Sequence, residues 1–180
     1  MIIGLSGYAR SGKDEIAKIL VEKFGFKRRA FADPIRSFVT KVNPILESGH
    51  RLNEVVKEFG WELAKSRTET RRLLQEVGLA GRELIDEDVW IKAAFKDINH
   101  YMDNVVVSDV RFKNEAEFIR KEQGRVWRVL REGVGPVNNH ISETELDGAY
   151  FEAYVPNNGT LEELEAYVTR LIGRDAHKIF

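Results

Sequence analysis

The 180-residue chain contains no cysteine. That excludes a disulfide scaffold, a thiolate zinc site, an iron–sulfur cluster and a cysteine nucleophile, and it fits a reducing compartment. Proline is scarce too: Pro34, Pro44, Pro136 and Pro156 stand far apart, so no Pro-rich linker divides the chain. Charge of one sign is missing. With 28 basic and 29 acidic residues the net charge is −1, which excludes a polycation that coats nucleic acid or an anionic membrane. Long hydrophobic runs are absent as well, the longest being about five residues against the ~20 that span a bilayer. Met1-Ile2-Ile3-Gly4-Leu5 carries neither the basic leader nor the long apolar stretch of a signal peptide. Internal repeats and low-complexity tracts are lacking. The expectation is a soluble cytoplasmic protein, and the length suits one domain or one domain with an inserted lid.

What is present alternates between strand and helix patterns. Ile2 to Ser6 is a short apolar run that stops at Gly7 and reads as a buried strand. Ile16, Ile19, Leu20 and Phe24 then fall at helical spacing. Arg29 to Ala32 reads as a second short strand, followed by a helix with Asp33 as N-cap and Pro34 at its first position. Three amphipathic helices follow, marked by Leu52 to Leu63, by Leu73 to Val77 and by Trp90 to Ile98. Val105 to Val107 is the clearest β run. A helix around Ala116 to Ile119, a strand over Arg125 to Leu130 and a last strand over Glu152 to Val155 complete the alternation. Thr160 and Glu163 form a capping box that opens a final helix. Such alternation predicts an α/β fold with a mostly parallel sheet, whose ligands bind at the carboxyl ends of the strands.

The first of those ends carries Gly7-Tyr8-Ala9-Arg10-Ser11-Gly12-Lys13-Asp14, a G-x-x-x-x-G-K segment between a strand and a helix. This is the context of a phosphate-binding loop. Glycines let successive backbone N–H groups curl toward phosphate oxygens, and the helix N-terminus adds partial positive charge. Lys13 would reach the β- and γ-phosphates, with Arg10 as a second cation. Standard loops place Ser or Thr after the lysine to bind Mg²⁺. Here Asp14 and Glu15 follow, so either a carboxylate handles the metal or the loop binds without transferring.

Two further strand ends repeat one pattern: Asp33 with Arg36, and Asp109 with Arg111. In a parallel sheet these four residues would face the phosphate loop. Asp109 would hold Mg²⁺ through a water, and the arginines would clamp phosphate. No glutamate follows Asp109, which favours transfer to an acceptor over hydrolysis. Asp33 reads equally as a helix cap, and Arg111 also as a surface ion pair. Lys65, Arg67, Arg71 and Arg72 form a basic cluster that would close over transferring phosphates or simply coat a solvated helix face. Arg82 is equally ambiguous. Arg128 and Arg131 read as base-stacking groups or as surface charge. His50, His100, His140 and His177 show no metal-ligand spacing, no serine sits in a nucleophile elbow, and Trp61, Trp90 and Trp127 read as core.

In order along the chain, Gly7 to Asp14, Phe31-Ala-Asp-Pro-Ile-Arg36, Arg72 to Gly78, Asp88-Val-Trp-Ile91, Ser108 to Phe112 with Asn114-Glu115, and His140-Ile-Ser-Glu143 resemble the deoxynucleoside monophosphate kinases of the T-even phage type. The resemblance covers most of the chain. It implies a P-loop NTPase fold, with a five-stranded parallel sheet of order 2-3-1-4-5 and flanking helices. It implies one kinase domain over 1–180, with roughly 37–103 as an inserted helical acceptor-binding or lid region. The implied reaction is phosphorylation of a deoxynucleoside monophosphate by ATP with Mg²⁺. By that analogy Gly7, Ala9, Arg10, Ser11, Gly12, Lys13 and Asp14 bind the donor phosphates, with Lys13, Arg10, Asp109 and Arg111 as the catalytic set. Asp14 and Asp109 hold the metal. Asp33, Arg36 and Arg111 take the acceptor side, and Arg67, Arg71 or Arg72 serve the lid. The phage pattern has Thr after the Asp, whereas Glu15 stands here. The same Gly-Lys-Asp variant also resembles animal-type phosphomevalonate kinase. A second small-molecule kinase and a non-catalytic nucleotide-binding module therefore stand beside the main reading. The implied partners are small nucleotides, with no nucleic acid and no membrane, and the implied state is a monomer or homodimer in the cytoplasm (the host's, if phage-encoded).

Overall fold

The computed structural model describes residues 1–99 and 102–176, so His100 and His177 lie outside the described residues. The chain divides into two compact units. One is Met1–Ala30 with Asp97–Phe180, and the other is Phe31–Lys96.

The first unit is built on five parallel strands: β1 (Ile2–Ser6), β2 (Lys27–Arg29), β3 (Val105–Val107), β4 (Arg125–Leu130) and β5 (Ala153–Pro156). Their order is β2-β3-β1-β4-β5. Central β1 pairs Ile2 to Gly4 with Val105 to Val107, and Ile3 to Ser6 with Arg125 to Arg128. Helices α1 (Lys13–Phe24), α6 (Lys113–Lys121), α7 (Ile141–Thr144) and α8 (Leu161–Ala176) belong to the same unit. Strand residues alternate between faces. Ile3, Leu5, Trp127 and Val129 pack with Ile16 and Leu20 of α1 and Leu164, Val168 and Leu171 of α8. On the opposite face Gly4 leaves room for α6: a Cβ there would stand 2.6 Å from Ile119 Cδ1 and 2.8 Å from Val110 Cγ2. Thr160 and Glu163 form the expected capping box, each backbone N–H donating to the other's side chain.

The second unit is helical: α2 (Ala32–Val42), α3 (Leu52–Ser66), α4 (Thr68–Leu84) and α5 (Val89–Phe95). Its core joins Val39, Leu46, Leu52, Val55 and Ala64, with Trp61, Leu73, Leu74 and Val77 half-buried against them. Trp90 is buried over α4, where its indole Nε1–H donates to Gly78 O at 2.8 Å.

Four local expectations shift. The second strand runs over Lys27–Arg29, earlier than Arg29 to Ala32, because it is a charged edge strand with no apolar alternation to mark it. α2 starts at Ala32 with Phe31 at the N-cap, so Asp33 lies in the first turn and does not cap. Pro34 fits there because the first four helical N–H groups have no partner inside the helix. The apolar period of α3 hides a break at Gly60, whose backbone (φ 72°, ψ 163°) is left-handed and open to glycine. α5 stops at Phe95 and does not reach Ile98. Among the described residues, no helix is long and apolar enough to cross a membrane.

Candidate active site

The segment between β1 and α1 curls as a phosphate-binding loop must. Gly7 (φ 147°), Arg10 (φ 67°) and Gly12 (φ 103°) all take positive φ. A side chain on Gly7 would meet Val129 O at 2.7 Å, and one on Gly12 would strike Asn157 Nδ2 at 2.0 Å. Both positions therefore require glycine for conformation and for space. No side chain caps α1, so the first amides of the helix remain open to an anion. Ser11 is buried, and its Oγ has no hydrogen-bond partner. An uncapped helix start, an orphaned buried hydroxyl and a backbone cradle fit a phosphate group.

Lys13 answers the same description. Its Nζ donates to Gly7 O and Tyr8 O, both at 2.7 Å. Burial, and then the neighbouring Arg111 guanidinium, push the ammonium down to about 8, while Asp14, Glu143 and Asp109 pull the other way. Its partners are thus two neutral carbonyls, and a phosphate would be a stronger one.

β3 delivers the next two groups. Beyond its end, Val110 N–H donates to Leu5 O at 3.0 Å, which ties the Asp109–Arg111 segment to β1. Arg111 N–H donates to Glu115 at 2.7 Å. The Arg111 guanidinium donates through Nη1 to Glu143 Oε1 at 2.5 Å and to Ser142 O at 3.2 Å. Lys13, Asp14, Asp109, Arg111 and Glu143 therefore share one neighbourhood. Asp14 is exposed and Asp109 half-buried, and carboxylates at these two places suit a hard divalent cation that keeps most of its waters. Beside the loop lies an open cleft of about 730 Å³, with Arg10, Lys13, Asp14, Arg131 and Asn157 among its lining residues. Asn157 Nδ2 donates to Ser11 O at 2.8 Å, which braces the loop from the β5–α8 connection.

Asp33, Arg36, Arg67, Arg71 and Arg72 belong to the helical unit. Arg36 lies 5.8 Å over the Trp61 ring and 3.5 Å from Asp33, and its buried Nε has no partner. Arg67 lies 4.5 Å over Phe59. Arg72 is exposed and pairs with Glu47 and Glu76, which hold its guanidinium above the ordinary arginine value.

Two groups escape the sequence. Arg128 is buried: it donates to Ser6 Oγ and Asp147 Oδ1 and stacks 4.8 Å from Tyr8 and 5.5 Å from Phe151. Tyr8 Oη donates to Asp147 Oδ2 at 2.9 Å, and burial with that bond raises its phenol above the ordinary value. This network anchors the phosphate loop at its second residue. Glu143 is the other group. Its residue number lies inside a segment of the resemblance, but no local pattern marks a carboxylate for burial.

A family model described as deoxynucleotide monophosphate kinase matches residues 46–168, about two thirds of the chain. The chain belongs to the deoxynucleotide monophosphate kinase family. The family match begins after the phosphate loop, so the loop's geometry is a separate observation. A protein of Acanthamoeba polyphaga mimivirus, provisionally named a deoxynucleotide monophosphate kinase, is 28% identical over 93% of this chain and 94% of its own length. The deoxynucleotide monophosphate kinase of Escherichia phage RB69 is 30% identical over 57% of this chain and 44% of its own length. Among solved structures, the shikimate kinase of Aquifex aeolicus covers 98% of both chains at 14% identity and a TM-score of 0.49. The family places the chain among nucleotide kinases, and the strand order is the one the resemblance implied.

Proposed function

We propose that the chain transfers the γ-phosphoryl group of ATP to a deoxynucleoside monophosphate, giving ADP and the deoxynucleoside diphosphate. The observation that carries this is Lys13, an ammonium held by carbonyls alone at the mouth of an uncapped helix. In this reading residues 7–14 wrap the donor phosphates, and Lys13 leaves Gly7 O and Tyr8 O for phosphate oxygens. Arg10 and Asn157 border the cleft that takes the rest of the donor. Asp14 and Asp109 would hold Mg²⁺, which would supply charge neutralisation to the donor phosphates. Asp14 stands where a hydroxyl is usual, so a carboxylate would take the metal contact there.

The acceptor is a phosphate monoester whose oxygen is already a nucleophile at neutral pH, so no general base is required. Transfer is in line: the bond from acceptor oxygen to γ-phosphorus forms as the β–γ bridge breaks, and the β-phosphate keeps the electron pair. Positioning and charge neutralisation do the chemistry. Arg111 neutralises the transferring group. Asp33 and Arg36 serve the acceptor, supported by the unsatisfied Nε of Arg36. The helical region, which the resemblance put at roughly 37–103, carries acceptor binding and the lid, with Arg67, Arg71 and Arg72 as its basic groups.

The test is ADP release from MgATP against a panel of deoxynucleoside monophosphates, ribonucleoside monophosphates and phosphomevalonate, with a no-acceptor control. Turnover that requires a deoxynucleoside monophosphate is expected. Turnover with phosphomevalonate alone would overturn the substrate. ATP binding without turnover would make the chain a nucleotide-binding module.

A further inference from the structure

Glu143 is nearly removed from solvent, its side chain 2% exposed, yet it meets Arg111 through one oxygen only. The second oxygen, Oε2, is buried without a partner. A buried acceptor left unpaired is unfavourable, and a two-pronged carboxylate–guanidinium pair would satisfy it. That pair would consume the guanidinium fork. In the arrangement present, Glu143 and Ser142 O both take Nη1, and Nε and Nη2 of Arg111 make no hydrogen bond among the described residues. Arg111 is a third exposed, and Lys13 feels its charge. The fork is therefore gripped at one corner, and its charge reaches Lys13.

The grip is held by local hydrogen bonds on both sides. Glu143 sits on α7, where His140 Nδ1 accepts from Ser142 N–H at 3.2 Å and Glu143 N–H donates to His140 O at 2.8 Å. The Arg111 backbone is held independently by Glu115.

We propose that Glu143 is a positioning residue that acts through Arg111, holding Nη1 so that Nε and Nη2 face the transferring phosphoryl group. The inference rests on the kinase reading above. It adds to that reading a carboxylate that never touches substrate but sets the geometry of a group that does.

A double-mutant cycle tests it. Glu143→Gln keeps the shape and removes the charge. It is expected to lower kcat by about tenfold or more with KM for ATP changed less than about threefold, because the loss falls on the transition state. Arg111→Ala is expected to lower kcat further, and Glu143→Gln added to Arg111→Ala to cost nothing more. A double variant as poor as the product of the two singles would overturn the proposal, as would wild-type kcat in a folded Glu143→Gln. A second measurement needs no variant at Glu143 and no acceptor. In ¹⁵N spectra of the wild-type protein, a gripped Arg111 guanidinium rotates slowly and shows separate Nη resonances, identified by their loss in Arg111→Lys. One averaged signal would overturn the proposal. Because this spectrum requires no turnover, failure of the kinase reading leaves it interpretable.

Discussion

In the sheet unit, two arginines beside the phosphate loop are buried or half-buried and answered by carboxylates. Arg128 is 8% exposed between two rings and Asp147, and Arg111 is gripped by a buried glutamate. Lys13 is half-buried against carbonyls. In the helical unit, Arg72 is exposed and paired with exposed glutamates, and Arg67 covers an aromatic ring at the surface. Arg36 departs from that pattern, with its buried and unsatisfied Nε. Exposed pairs form and break at little cost, whereas buried ones are fixed before a ligand arrives. Under the proposed function, the buried charges suit a preorganised transfer site and the exposed ones a surface that regroups around an acceptor.

The largest effect is expected on chemistry, at Lys13 of the phosphate loop. Lys13→Ala should lower turnover by about a thousandfold or more, because phosphoryl transfer depends on charge neutralisation. The melting temperature should stay near that of the wild type, since the ammonium bonds only two loop carbonyls. Near-normal turnover would break the contrast at its strongest point.

Removal of Arg128 should show as stability. Arg128→Met leaves Ser6 Oγ and Asp147 without their guanidinium. Because Asp147 is more than a third exposed, the expected cost is only about 2 kcal/mol in urea unfolding.

Inside the helical unit, packing should matter more than charge. On α4 a Cβ at Gly81 would lie 2.5 Å from the Trp90 ring, whereas one at Gly78 would meet the flexible end of Ile35 at 3.2 Å. Gly81→Ala should destabilise by about 1–3 kcal/mol through overpacking. Gly78→Ala should lie within about 1 kcal/mol of wild type, since the helical preference for alanine offsets the contact. Equal effects at the two sites would show that Trp90 yields. Arg72→Ala, at the far end of the scale, should leave the unfolding curve unmoved.

Much of the candidate site was legible in the sequence because it is local. The phosphate loop is eight consecutive residues between recognisable strand and helix patterns, and Asp109 and Arg111 follow the clearest β run. The strand order came from the resemblance, since periodicity says nothing about which strands are neighbours. What escaped is long-range. Glu143 meets a residue 32 positions away and Arg128 one 19 away, and no local pattern marks either charge for burial. Burial turns these charges into structure, and burial is a property of the assembled sheet. Gly60 and β2 were lost for the opposite reason. A helical period continues across the broken turn, and a three-residue charged edge strand shows no period at all.

If the sheet unit holds Lys13 ready for phosphate, MgATP binding should take up a proton there. In the free protein Lys13 titrates at about 8, and bound phosphates would raise that value by favouring the charged form. Between those two values the complex holds a proton that the free protein has lost. Affinity should therefore fall as pH rises through about 8, and at pH 9 binding should take up close to one proton. At pH 6.5 both states carry the proton and uptake should vanish. Calorimetry in two buffers of different ionisation enthalpy reads this, with Lys13→Arg as the variant that takes up none. Proton uptake that disappears in Lys13→Arg is the predicted result, and MgATP binding at pH 9 with no uptake in the wild type would show that Lys13 does not meet the phosphates.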